Sequence, residues 1–138
     1  GRYMTSAYQE LSQETELLYA KERQAVAAIL EEEAIIRGQL ARLDRMVAQA
    51  RADAEADTAY LALGADLHWN EWTVRTRRAL NADLARVMAR KLKGLDRLRR
   101  AFGRCDAVDR LEADRQRSVK EARAREDWEK IAALMVLR

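Results

Sequence analysis

Leu63-Gly64-Ala65-Asp66-Leu67-His68-Trp69-Asn70-Glu71-Trp72 interrupts a chain that otherwise reads as helix on both sides. Gly64 can take the left-handed conformation that ends a helix, because it has no Cβ to clash. Asp66 or Asn70 can accept hydrogen bonds from the free amides that open the next helix. The only histidine, His68, and two of the three tryptophans crowd into this stretch. It predicts an all-α fold of two long antiparallel helices forming a coiled-coil hairpin. Helix one is expected over about 6–63, a turn over about 64–69 and helix two over about 70–136, in one domain spanning 1–138.

Composition agrees with that reading. The 138 residues contain no proline, and Ala, Leu, Arg and Glu, all strong helix formers, dominate. Charged residues make up 36% of the chain against 6% aromatic, which suits a solvated helix pair better than a globule. Residues 1–68 hold 7 Lys/Arg against 12 Asp/Glu, and residues 69–138 hold 19 against 11. An acidic first helix and a basic second one attract each other along their length. No apolar run approaches the length of a membrane span, and no export signal is present. The single cysteine fits a reducing cytoplasm. Gly1-Arg2-Tyr3 ahead of Met4 reads as a remnant that precedes the native start.

Ser6 and Gln9 have capping-box spacing, so helix one is expected to begin at Ser6. Its seam counts as Tyr8, Leu11, Thr15, Leu18, Glu22, Ala25, Ile29, Glu32 and Ile36, alternating steps of three and four. A four-four step to Leu40 follows, and the alternation resumes through Leu43, Val47, Ala50, Ala54, Asp57 and Leu61. That break predicts a local unwinding around Gly38. Helix two offers Leu80, Leu84, Val87, Lys91, Leu95, Leu98, Phe102, Cys105, Val108, Leu111 or Glu112, Arg115, Val119 and Ala122. Folding at the turn then pairs residues whose numbers sum to about 131. Leu61 faces Asn70, Val47 faces Leu84, Leu43 faces Met88, Ile36 faces Leu95 and Ile29 faces Phe102. Glu22 reaches Arg110, Tyr8 meets Arg123 and Tyr3 meets Trp128. The polar segment 109–127 makes a thin seam, where fraying is expected, and apolar residues return at Trp128, Ile131, Leu134 and Met135.

Catalytic motifs are missing. His68 has no histidine or cysteine at metal-ligand spacing, and there is no phosphate-binding glycine loop or nucleophile elbow. Glu31-Glu32-Glu33 and the pair Asp53/Asp57 read as solvated helix surface, and Cys105 as a seam thiol. The chain is expected not to be an enzyme and to need no cofactor or metal. The basic run Arg86, Arg90, Lys91, Lys93, Arg97, Arg99, Arg100, Arg104 is first of all the solvated face of helix two. A nucleic-acid footprint would interleave aromatics for stacking, and Phe102 is the one aromatic within this run.

Two groups remain as candidate partner sites. At the turn, Trp69 and Trp72 lie three residues apart beside Arg75 and Arg78, an aromatic and cationic group suited to an acidic, partly apolar pocket. They can equally cap the seam over Tyr60 and Leu61. At the terminal end, Tyr8, Trp128, Ile131 and Met135 either pack together or offer an apolar face to another protein.

The short Trp-bearing turn, Leu80, Leu84 and Val87, then Leu95-x-x-Leu98-x-x-x-Phe102 in a basic helix, resemble the FliJ/YscO family. Glu126-Asp127-Trp128-Glu129-Lys130-Ile131-Ala132 is similar to that family's acidic-aromatic-Ala segment, and the likeness covers most of 5–135. These are the central stalk proteins of flagellar and type III export ATPases. The resemblance implies an antiparallel two-helix coiled coil in the cytoplasm, peripheral to a membrane export apparatus and without an active site. The implied partners are a hexameric export ATPase at the paired termini, a membrane export-gate protein at the turn end, and export chaperones. The residues after Trp72 (Thr73, Val74, Arg75) are more basic than that family's gate-docking face. The alternative is a basic coiled-coil module for nucleic acid or another anionic partner.

Overall fold

A computed structural model describes the backbone of residues 2–56 and 65–137, and the side chains of 5–56 and 67–137. The described residues form two α-helices, α1 (Arg2–Ala56) and α2 (Ala65–Val136), and hold no strand. The helices pack antiparallel as a helical hairpin. The bounds differ from the expected ones. Helix α1 starts at Arg2 rather than at a Ser6 cap, since nothing in Arg2–Thr5 breaks a helix. Helix α2 starts at Ala65, so Ala65–Trp69, expected in the turn, are helical, and it runs unbroken through the polar 109–127 stretch. Gly64 and the Tyr60 and Leu61 positions lie outside the described residues.

Contacts fall into two units: Arg23–Arg97, and Gly1–Glu22 with Leu98–Arg138. Within Arg23–Arg97, the residues of α1 that lose solvent are Val26, Ile29, Glu33, Ile36, Leu40, Leu43, Val47, Ala50 and Ala54. From α2 they meet Thr73, Arg77, Leu80, Leu84, Val87, Lys91 and Gly94. Both rows step three and four without a fault, so the unwinding expected around Gly38 is absent. It followed from assigning Ala25 and Glu32 to the seam where the structure has Val26 and Glu33. Gly38 sits on the outer face, with nothing within 4 Å of where a Cβ would stand.

The register is the larger correction. Asp44 pairs with Arg77, Glu32 with Arg90, Glu33 with Lys91 and Ile29 with Gly94, residue numbers that sum to about 122 rather than 131. The reason is electrostatic and steric. In the expected register the half-buried Lys91 would face Leu40, and the buried Glu33 would face Leu98. Each would be a charge without a partner in the seam. A shift of about nine residues brings them together, and it also sets glycine where space is shortest. A Cβ on Gly94 would lie 3.3 Å from Ile29 Cδ1 and 3.5 Å from Val26 Cγ2. Leu43, expected opposite Met88, is the best-buried large residue of this unit at 3% exposure.

In the second unit Tyr8, Ser12, Thr15, Leu18, Tyr19 and Glu22 of α1 are partly or fully covered, as are Leu98, Ala101, Cys105, Val108, Glu112 and Arg115 of α2. Ala101, at 1% exposure, occupies the place expected for Phe102, which is 56% exposed. Phe102 lies at the edge, its ring 5.8 Å from Tyr19 rather than against Ile29. Arg110 pairs with Asp106 on its own helix, not with Glu22. Thr15 and Thr73 are buried, and each hydroxyl donates to the carbonyl three residues back (Ser12 at 3.0 Å, Asn70 at 2.9 Å), so neither leaves an unmet polar atom in the seam.

Candidate functional site

The polar centre of Arg23–Arg97 is built on Glu33. Lys91 Nζ donates to its Oε1 at 2.8 Å from across the seam, and Arg37 Nε donates to its Oε2 at 2.9 Å from one turn along α1. These two donors, Lys91 foremost, hold the Glu33 carboxyl below its ordinary range despite some desolvation. In the other unit Glu112 is lowered in the same way by the Arg115 guanidinium, which donates at 2.9 and 3.1 Å. That guanidinium also lies 5.6 Å from the Tyr8 ring centre, a cation–π contact, and Glu112 holds the Arg115 pKa raised. Among the described residues no group of three or more His, Cys, Asp or Glu is placed to hold a metal ion. No described helix is long and apolar enough to cross a membrane.

The two turn-end tryptophans line different grooves. Trp69 is half-buried over the seam, lining a groove with Val47, Ala50, Ala54 and Thr73. Trp72 lines a different groove with Leu43, Met46, Thr76 and Leu80 and stays 42% exposed. Arg75 and Arg78 are exposed on the same helix. Of the two tryptophans, Trp69 is the more covered and Trp72 the more exposed.

At the terminal end the expected grouping also separates. Tyr8 meets Arg115 instead of Arg123, well short of Trp128 along α2. Every described residue of α2 from Gln116 onward is exposed, including Trp128 at 70% and also Ile131, Leu134 and Met135. Tyr3 lies outside the described side chains. At about 100° per residue, Trp128, Ile131 and Met135 lie roughly 160° round the helix from the seam residues Glu112 and Arg115. A longer α1 in the same register would leave them uncovered. The apolar spacing was legible in the sequence, but its orientation depends on knowing that the seam runs through Ala101, Cys105, Val108, Glu112 and Arg115.

Comparison with protein-family models, with curated proteins and with solved structures gives no match.

Proposed function

We propose that the chain is a non-enzymatic coiled-coil stalk and interaction protein of a flagellar or type III protein-export ATPase complex. In this role it links the hexameric ATPase to the export gate, in the cytoplasm at a membrane export apparatus. The resemblance of Leu80–Phe102 and of Glu126–Ala132 to the FliJ/YscO family suggests this. The observation that carries it is the apolar stripe Trp128, Ile131, Met135, exposed on α2 and turned away from the seam. Such a stripe serves a surface other than the hairpin's own. The rival reading, a basic module for nucleic acid, has less support because part of its basic run is already committed: Arg86 pairs with Asp83, Arg90 with Glu32 and Lys91 with Glu33.

The test is binding of the full chain to a purified export ATPase, followed by sedimentation. The expected result is association that Trp128→Ala/Ile131→Ala weakens by thirtyfold or more, the scale of a lost hot spot, without change in melting temperature. Trp72→Ala should weaken binding to the export gate alone. Absence of ATPase binding, together with a DNA isotherm of steep log–log salt dependence, would reverse the reading in favour of the nucleic-acid module.

A further inference from the structure

The two facing rows of Arg23–Arg97 fit each other in more than one way. Both step three and four, so sliding α2 along α1 by one heptad brings row back onto row. Take the slide that moves Glu32 from Arg90 to Arg97. Leu43 then passes from Leu80 to Val87, Val47 from Arg77 to Leu84, and Ala50 from Thr73 to Leu80. Ile36 exchanges Val87 for Gly94, the residue that takes Ile29 in the observed register. Apolar contact therefore does not choose between the two. Turn chemistry does not choose the observed one either, since Gly64 and Asp66 favour a fold point nearer the slid register.

Buried charge does choose. Glu33 is 8% exposed, and Lys91 Nζ donates to its Oε1 at 2.8 Å from the other helix. After the slide Glu33 would keep Arg37, which rides on the same helix, but Lys91 would face Leu40. Stripping one partner from a buried pair is strongly unfavourable. The other cross-helix pairs, Arg77–Asp44 and Arg90–Glu32, would also part, yet every side chain in them is at least 41% exposed. Such surface pairs contribute little, and Glu32 meets Arg97 in exchange.

We infer that Glu33 and Lys91 lock Arg23–Arg97 into one of two registers a heptad apart. Releasing the pair lets the two helices slide along each other by about 10.5 Å, seven residues at 1.5 Å each. A partner's carboxylate that captures Lys91 would therefore move the exposed residues of one helix past those of the other by two turns. The inference stands independently of the export-ATPase reading, since neither Glu33 nor Lys91 is among its proposed contacts.

Disulfide mapping on the full chain in a Cys105→Ser background tests it. Glu32→Cys/Arg90→Cys reports the observed register and Glu32→Cys/Arg97→Cys the slid one, all three positions being exposed. With Glu33 and Lys91 in place, only the first pair should close an intramolecular disulfide readily. In Glu33→Leu/Lys91→Leu both pairs should close, the second at least about a hundredfold faster than before, the scale of a buried partner's loss. Relocating the carboxylate by one heptad, as Glu33→Leu/Leu40→Glu, should reverse the outcome and leave only the 32–97 disulfide. This second variant keeps the composition and the ion pair, and so decides the matter where the first fails to fold. Closure of 32–97 in the chain that retains Glu33 and Lys91 would overturn the inference. So would a relocated carboxylate that leaves 32–90 as the disulfide formed.

Discussion

From Val26 to Leu43, α1 is held by α2 at every turn, and its one buried carboxylate, Glu33, has two cations on it. From Gln116 to Leu137, α2 has no covered residue at all. In the observed register facing residue numbers sum to about 122, so residues of α1 stand opposite α2 only as far as about 120. The apolar residues also fall differently in the two stretches. In the first, they coincide with a three-four row that meets an equivalent row on the other helix. In the second, Trp128, Ile131 and Met135 form a row of their own, away from the seam, where no described residue covers them. The first stretch is therefore where stability resides, and the second is a surface whose removal should leave stability nearly untouched.

The largest effect separates them directly. Leu43→Ala should destabilise the protein by about 2–3 kcal/mol, the usual loss for a buried leucine, whereas Leu134→Ala should shift the melting midpoint within error. Similar losses at both positions would mean that the C-terminal stretch is packed.

Acid sharpens the contrast. The Glu33 and Glu112 carboxyls titrate below their ordinary value of 4.5 in the folded chain. Their contribution is therefore fully present above the unfolded value and disappears as pH falls through the lower, folded one. The melting temperature should be flat from neutral pH to about 5 and fall below 4.5. Glu33→Gln should lower the neutral value, because Lys91 loses its partner, and should also flatten the acid limb. An unchanged acid limb in that variant would remove Glu33 from the account.

Much of the fold could be read from the sequence: the all-helical content, the antiparallel hairpin, and the seam residues Leu80, Leu84, Val87 and Lys91. The register could not, because it was set from where Gly64 and Asn70 invited a turn rather than from which charges needed partners. Glu32 and Glu33 are adjacent and equivalent by spacing alone, and a seam through Glu32 implies both an unwinding and a row that the structure does not have. Hydrophobic counting favours Leu95 and Phe102 over Gly94 and Ala101, while the tightest approach of two helices favours small residues. For the candidate sites, the separation of Tyr8 from Trp128 and the partial burial of Trp69 both follow from the same shift.

Glycine gives the smallest but cleanest comparison. Gly38 and Gly103 have open space where a Cβ would go, so Ala at either should stabilise by about 0.5–1 kcal/mol. At Gly94 the same change meets Ile29 at 3.3 Å, and the gain should vanish or reverse in thermal melts. Equal gains at Gly38 and Gly94 would contradict the observed register.

Hydrogen exchange of the full chain, resolved by residue, tests the central contrast most directly. Amides of 26–50 and 73–97 should be the slowest to exchange, and those of 121–137 faster by at least about a hundredfold, since an unsupported helix of that length is marginal in water. Uniform protection along α2 would contradict the account, because the C-terminal stretch would then be held as firmly as the seam.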